Sequence, residues 1–248
     1  MAPKIEWFDT WFSSPYYHIL YKNRDFKEAK DFLDNLSGFL DIKPTDYILD
    51  LACGRGRHSI YLNKKGFNVV GVDLSGENIS EARKFENQKL KFFTHDMIDI
   101  FKKDSFDFIF NFFTSFGYFD TEEENEQVVR SAAEGLKMNG KMIIDFLNPY
   151  TVIHNLAPEE IKKSNGITFQ ITKKIENGYI IKHIDFEDNG NPYHFTEKVK
   201  AIRRTEFLSY FKKCGLELLN IFGDYNLNPC VAEKSERMIF ILKKNMQK

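Results

Sequence analysis

Short β-rich runs alternate with helical stretches between residues 47 and 146, and this alternation restricts the possible folds more than any other feature. The predicted strands are Tyr47–Leu51, Phe67–Asp73, Leu90–His95, Phe106–Phe112 and Lys141–Phe146, and the predicted helices between them are Arg57–Lys65, Gly76–Asn87 and Glu122–Met138. Apolar residues at helical spacing predict a further helix over Arg24–Leu40. Strands that alternate with helices of this length form βαβ units, so the sequence predicts a doubly wound α/β fold with a mostly parallel sheet.

After Asn148-Pro149 the pattern changes to runs in which apolar and polar residues alternate. Three such runs lie between residues 166 and 203, separated by Asn177-Gly178 and by the turn-forming segment 188–192. Because Asn-Gly between alternating runs favours a hairpin, we expect an inserted antiparallel meander. The chain then returns to a predicted helix, Thr205–Cys214, and to two predicted strands, Leu216–Asp224 and Arg237–Leu242.

The composition argues against several classes of partner. Lys plus Arg number 35 and Asp plus Glu number 36, so no overall basic field favours nucleic acid, which we consider an improbable partner. No run of about 18 apolar residues predicts a membrane span, and no signal peptide is evident, so we expect a cytoplasmic protein. The cysteines at 53, 214 and 230 lack metal-ligand or redox spacing, which predicts free thiols and no metal site.

A glycine-bearing turn follows the first predicted strand, in the run Ile48–His58. Gly54 and Gly56 allow the backbone to approach a ligand, and the helix that begins after them presents free N–H groups. Asp73, which ends the next strand, can accept hydrogen bonds from ribose hydroxyls. A dinucleotide site would have a third glycine where this chain has Ser59, and Asp50 would repel a pyrophosphate.

These motifs resemble those of class I S-adenosylmethionine-dependent methyltransferases. The matching segments, in order, are ILDLACGRGRHS at 48–59, VVGVDLSGENIS at 69–80, THDM at 94–97, FDFIFNFFTSFGYF at 106–119 and GLKMNGKMIIDF at 135–146. The resemblance implies a Rossmann-like, mostly parallel seven-stranded sheet, S-adenosylmethionine as cofactor and S-adenosylhomocysteine as product. It also implies a methyltransferase domain at 1–148 and 204–248, with 149–203 as an inserted substrate-side subdomain.

Carried over by position, the resemblance predicts the cofactor-binding residues. Those around the methionine end are Asp50, Ala52, Cys53, Gly54 and Gly56; Asp73 binds the ribose; Leu74, Asp96 and Met97 flank the adenine; and Asn111 and Phe112 lie beneath the methyl donor. Each acidic residue also has a structural alternative. Asp50 can cap a turn, Asp73 can be the N-cap of the next helix, although Ser75 offers a hydroxyl for that purpose, and Asp96 can stabilise a surface turn.

Aromatic residues are concentrated in the first 23 residues. In one interpretation Tyr16, Tyr17, His18 and Tyr21 close over the cofactor and acceptor, where aromatic faces favour a cationic donor. Of these, Tyr17 and Tyr21 are the predicted contacts. In the other interpretation the aromatic residues cap an edge of the sheet.

The hypothesis that fits best is methyl transfer to a nitrogen or oxygen of a small molecule by in-line displacement. Tyr118, Tyr150 and His154 are candidate bases, but none has a partner that the sequence identifies, so no catalytic residue, acceptor or oligomeric state is assigned. One alternative is an RNA or protein methyltransferase, which the basic residues around the insertion would serve (Lys162, Lys163, Lys173, Lys174, Lys182, Lys198, Lys200, Arg203 and Arg204). Another is a non-catalytic module that binds the cofactor.

Overall fold

The computed structural model describes residues 7–22 and 26–245, which form two β-sheets and the helices packed on them. The strands are β1 Tyr47–Leu51, β2 Asn68–Asp73, β3 Leu90–Thr94, β4 Phe106–Asn111, β5 Leu136–Leu147, β6 Glu159–Ser164, β7 Ile167–Glu176, β8 Tyr179–Asp188, β9 Asn191–Lys200, β10 Leu216–Phe222 and β11 Arg237–Lys244. The helices are α1 Trp7–Trp11, α2 Pro15–Leu20, α3 Phe26–Leu40, α4 Arg57–Lys64, α5 Gly76–Arg83, α6 Glu122–Gly135, α7 Pro149–His154 and α8 Arg204–Lys213.

The larger sheet has seven strands in the order β10-β11-β5-β4-β1-β2-β3. The strands β5, β4, β1, β2 and β3 pair in parallel, and β11 pairs antiparallel with both β5 and β10. Successive side chains of β11 enter opposite core layers: Phe240 packs in the layer that contains α6 and α8, and Ile241 in the layer that contains α3, α4 and α5. The predicted doubly wound, mostly parallel sheet is therefore confirmed.

The smaller sheet is an antiparallel meander in the order β6-β7-β8-β9. Its three turns are Asn165-Gly166, Asn177-Gly178 and Asn189-Gly190, and all six residues have positive φ. Two consecutive positive φ values match the twist of the flanking strands, which is why Asn-Gly is favoured there. One face of the meander is apolar and packs against α1 and α2, with Trp11 fully buried in that contact.

Several predicted boundaries differ from the structure. The helix predicted to reach Met138 ends at Gly135, because Leu136 is buried and pairs with Phe106 as the start of β5. The helix predicted to reach Asn87 ends at Arg83, because Asn87 pairs with Leu90 in an isolated bridge. The sequence did not predict α7 or β6. The predicted helix start at Arg24 lies outside the described residues.

Within the described ranges, no helix combines the length and the apolar character needed to cross a bilayer. All three cysteines are free thiols, as predicted.

Candidate functional site

A cavity of about 940 Å³ lies at the carboxyl ends of the parallel strands. Its floor is formed by the turns that follow β1, β2, β3 and β4, and its far wall by the inner face of the meander. The aromatic helices α1 and α2 cover it. Crevices at the carboxyl ends of such sheets are where doubly wound folds bind ligands.

The backbone of the glycine turn lies at the cavity wall at Gly54 and against the core at Gly56. Three of its residues have positive φ: Ala52 at 62°, Gly54 at 56° and Gly56 at 78°. Gly54 lines the cavity, and a Cβ there would have nothing within 4 Å. A Cβ on Gly56 would instead lie 2.7 Å from the Phe92 ring, so Gly56 allows α4 to pack closely on the sheet.

Asp73 lies at the cavity edge and is tied to the glycine turn. Its Oδ2 accepts the Gly54 N–H at 2.8 Å, and its Oδ1 accepts the Ser75 N–H at 2.9 Å. Burial raises the pKa of Asp73, although these two backbone hydrogen bonds oppose the shift. The N-cap of α5 is Ser75, whose Oγ accepts the Asn78 N–H, so Asp73 does not serve as that cap.

Asp50 and Cys53 lie behind the turn rather than in the cavity wall. Asp50 is 1% exposed, its Oδ2 accepts the Ser59 hydroxyl at 2.5 Å, and burial raises its pKa to about 6. The Cys53 N–H donates to Val72, and burial raises the pKa of the Cys53 thiol well above its usual value. A thiol that stays protonated is a poor nucleophile, which agrees with Cys53 as a small turn residue.

All three residues predicted around the adenine line the cavity. Leu74 is a large apolar side chain that is 44% exposed. Met97 is partly buried beside Asp96, whose Oδ1 accepts the Ile98 N–H at 3.0 Å. Asp96 therefore stabilises a turn and also faces the cavity, so its two interpretations are compatible.

Asn111 and Phe112, predicted beneath the methyl donor, are buried behind the wall. The Asn111 amide donates to the carbonyl oxygens of Leu51 and Ser115, and the Phe112 ring packs against Phe32. The strand ends at Asn111, and residues 113–115, which follow Phe112, line the cavity instead.

The turn after β4 is held by a buried ion pair that sequence reasoning missed. Phe113 and Thr114 have φ of 57° and 62°, which is unfavourable for residues other than glycine. Asp145, which has no exposed surface, accepts the Phe113 N–H at 2.9 Å, the Arg237 Nε–H at 2.7 Å and the Tyr225 hydroxyl at 3.1 Å. The available signal was a lone carboxylate in the apolar run KMIIDF.

The aromatic helices bond to both sides of the cavity. On the meander side, Glu197 Oε1 accepts the Trp11 indole N–H at 2.8 Å and the Tyr21 hydroxyl at 2.6 Å. On the other side, Ser13 Oγ lies 2.9 Å from Ser75 Oγ, and the Asn78 amide donates to Phe12. We call residues 7–21 the lid, because they bridge the two walls.

Some of the residues named in the sequence interpretation of the lid line the cavity, and others point to the meander. Tyr17 lines the cavity, whereas Tyr21 points its hydroxyl at Glu197. Tyr16 donates to Asp188 of the meander. His18 lines the cavity, and burial together with the charge of Arg55 lowers its pKa to about 4. The helices pack on the apolar face of the meander.

Only one of the candidate bases lines the cavity. The Tyr118 hydroxyl donates to the Thr114 carbonyl at 2.5 Å, and its ring packs edge-on against Trp7. Tyr150 and His154 stack on each other in α7, away from the cavity wall. In residues 7–22 and 26–245, no cluster of His, Cys, Asp and Glu is arranged to hold a metal ion.

The chain is similar to known methyltransferases. A family model described as a methyltransferase domain matches residues 48–140. The dTDP-3-amino-3,4,6-trideoxy-alpha-D-glucopyranose N,N-dimethyltransferase of Streptomyces venezuelae is 24% identical over 220 residues, covering 84% of this chain and 91% of the relative.

Two solved structures resemble the whole fold. An S-adenosylmethionine-dependent methyltransferase from Clostridium acetobutylicum has a TM-score of 0.77 at 24% identity, covering 93% of this chain and 96% of that one. CalS10 with bound S-adenosylmethionine, an amino pentose methyltransferase from Micromonospora echinaspora, has a TM-score of 0.67 at 18% identity, covering 94% and 98%. Both matches reach well beyond the residues of the family model.

Proposed function

We propose that the chain is a class I S-adenosylmethionine-dependent methyltransferase that methylates an amine nitrogen of a small molecule. S-adenosylmethionine is its cofactor. The observation that supports a small-molecule acceptor is that the lid and the meander line the same cavity on the side facing the glycine turn. At about 940 Å³ it falls at the upper end of ordinary ligand pockets, which leaves room for a metabolite beside the cofactor.

The residues of the cavity floor fit the cofactor. The open space at Gly54 accommodates a ligand against the backbone, and exposed Leu74 offers an apolar surface to an adenine ring. We propose that Asp73 accepts from the ribose hydroxyls, that Leu74 and Met97 contact the adenine, and that Ala52 and Gly54 contact the methionine end. In this proposal Asp50, Cys53, Gly56, Asn111, Phe112 and Tyr21 support the site from behind.

Bound S-adenosylmethionine supplies a methyl group on a positively charged sulfur, which is already activated for displacement. The chain therefore contributes mainly position and exclusion of water. Trp7, Phe12 and Tyr118 form an aromatic cluster that lines the cavity, and aromatic faces favour cationic groups. An amine acceptor agrees with this surface and with the amino-sugar relatives.

The basic residues of the insertion argue against an RNA or protein acceptor. Most of those lysines have a carboxylate partner within 4 Å: Lys162 and Lys173 pair with Glu160, Lys174 with Glu176, Lys182 with Glu197, Lys198 with Asp120 and Lys200 with Glu122. Paired charges give a weak field at a distance, so this surface offers a polyanion little attraction.

The test is calorimetric titration with S-adenosylhomocysteine, followed by methyl transfer assays with paired amine and alcohol acceptors. We expect Asp73→Ala to weaken binding at least tenfold, because the ribose loses its acceptor. Asp99→Ala, which changes an exposed carboxylate outside the cavity wall, is the control and should bind normally. Absence of binding by folded, ligand-free wild-type protein would refute the proposal, and transfer to alcohols alone would refute the amine assignment.

A further inference from the structure

One buried nitrogen atom of the lid lacks a hydrogen-bond partner beside the cavity. The atom is Nε2 of His18, which is enclosed by its surroundings and bonds to nothing within residues 7–22 and 26–245. The His18 side chain itself lines the cavity. Because buried polar atoms in folded proteins nearly always have a partner, an unpaired one at a cavity favours a partner that is not part of the chain.

The lid at His18 lies over the segment that follows Asp73. The Asn78 amide donates to the Phe12 carbonyl oxygen at 3.3 Å, and this bond joins the lid to α5. The Asn78 side chain lies beside both His18 and Asp73, and it affects the pKa of each through hydrogen bonding. An imidazole has two ring nitrogens, so Nε2 remains available for another partner. His18 is therefore on the side of the cavity where we place the ribose.

The surroundings of His18 favour a neutral imidazole. Burial and the positive charge of Arg55 lower its pKa to about 4, although hydrogen bonding with Asn78 opposes this shift. One nitrogen of a neutral imidazole donates and the other accepts, and a hydroxyl can do both, so a hydroxyl pairs with Nε2 in either tautomer. An ammonium or a carboxylate pairs with only one of the two tautomers. The ribose hydroxyls therefore suit His18 better than the charged groups of the cofactor.

We propose that His18 binds the cofactor through a hydrogen bond between its Nε2 and a ribose hydroxyl. The inference rests on the proposed function, because it adds a second partner to the ribose that we assign to Asp73. Asp73 belongs to the larger sheet and His18 to the lid. Bound cofactor is then in contact with both, so His18 is the residue through which the ribose holds the lid over the cavity floor.

The test is calorimetric titration of wild type and His18→Phe with S-adenosylhomocysteine and with its 2′-deoxy and 3′-deoxy analogues. A phenylalanine ring keeps the edge-on contact with Tyr17 but lacks both nitrogens. We expect His18→Phe to weaken S-adenosylhomocysteine binding about fivefold, the effect of one neutral hydrogen bond. The analogue that lacks the bonded hydroxyl should bind wild type and variant equally. His18→Gln, which keeps a donor and an acceptor, should bind S-adenosylhomocysteine within twofold of wild type.

The matched control is His194→Phe, the same substitution at an exposed histidine of the meander outside the cavity wall, and it should bind S-adenosylhomocysteine normally. If His18→Phe weakened all three ligands equally, His18 would only pack the lid, and the proposal would be wrong. Unchanged binding of S-adenosylhomocysteine by His18→Phe would also overturn it.

The two proposals fail separately. Failure of wild-type protein to bind S-adenosylhomocysteine contradicts the proposed function, whereas normal wild-type binding that does not depend on His18 contradicts only the bond to the ribose.

Discussion

Gly54 and Gly56 have similar backbone conformations but opposite surroundings. Both have positive φ, which L-residues adopt at a cost of about 1–2 kcal/mol. The space beside Gly54 is open to the cavity, whereas the space beside Gly56 is filled by the Phe92 ring and the Ala82 methyl group. Within this one turn, Gly54 therefore leaves room for a ligand, and Gly56 allows the core to pack closely.

We expect Gly54→Ala and Gly56→Ala to affect different measurements. Gly54→Ala should lower the free energy of unfolding by only about 1–2 kcal/mol, yet weaken S-adenosylhomocysteine binding at least tenfold, because its Cβ enters the cavity. Gly56→Ala should cost about 2–4 kcal/mol, because a buried ring must shift as well. Urea unfolding and calorimetric titration measure the two effects, and equal losses of stability would contradict this assignment.

Asp50 makes the stability of the protein depend on pH between about 4 and 6. Its folded pKa, about 6, lies above the ordinary 3.8, so the folded state binds more protons than the unfolded state in this window. The stability from protonated Asp50 is complete below pH 4 and is lost as the pH rises through 6. Asp50→Asn should remove this loss, which is up to about 3 kcal/mol.

The measurement is urea unfolding of wild type and Asp50→Asn from pH 4 to 8. His58, whose pKa burial lowers to about 3, changes stability in the opposite direction, but it is present in both proteins and cancels in the difference. Parallel curves for the two proteins would show that Asp50 is not the titrating group.

At the residue scale, the motif positions predicted much of the cavity wall. Ala52, Gly54, Asp73 and Leu74 all line it, because their position follows from where a strand ends. After β4 the predicted residues Asn111 and Phe112 are buried behind this wall, and their contact with the cofactor stays a prediction. The positive φ values of the following residues rotate the chain toward the cavity, and their non-glycine sequence gives no sign of this.

At the scale of elements, the β4 turn depends on two strands that are distant in sequence. Asp145 near the end of β5 and Arg237 at the start of β11 form an ion pair whose members are 0% and 18% exposed. Arg237 also donates to the Thr114 hydroxyl, so this pair fixes the turn that lines the cavity. Its removal should disturb both stability and acceptor binding.

We expect Asp145→Ala and Arg237→Ala each to lower the free energy of unfolding by about 3–5 kcal/mol, because each breaks an ion pair that is largely buried. The double variant should lose clearly less than the sum, since the second change removes the charge stranded by the first. Chemical denaturation of the four proteins gives the coupling energy, and strictly additive losses would contradict a direct interaction.

The hairpins show which elements a sequence can predict. Asn177-Gly178 correctly predicted a turn because apolar residues alternate on both sides of it. Asn165-Gly166 is an identical signal, but β6 was missed because EEIKKS is mostly charged. Such a strand is stabilised by pairing with β7 and by ion pairs such as Lys173 with Glu160, which depend on the fold.

At the scale of the whole molecule, the lid connects the two sheets across the cavity. The sequence predicted a cover of aromatic residues, but not the residue that anchors it. Trp11 and Glu197 are 186 positions apart, and nothing local to either residue indicates their hydrogen bond. The lid helices have only five and six residues, too few to be stable alone, so their order depends on these contacts.

Both tryptophans of the chain lie in the lid, so tryptophan fluorescence reports on the lid while far-UV circular dichroism reports mainly on the sheets. A ligand between the lid and the sheet stabilises both, by about 2.7 kcal/mol at one hundred times its dissociation constant. We therefore expect saturating S-adenosylhomocysteine to raise the fluorescence midpoint of thermal unfolding at least as much as the circular dichroism midpoint.

Trp7→Phe should leave the signal of Trp11, which is fully buried, and Trp11→Phe should lower the fluorescence midpoint because the hydrogen bond to Glu197 is lost. If the ligand raised the circular dichroism midpoint alone, the lid would not close over the cofactor, and residues 7–21 would serve only to cover the apolar face of the meander.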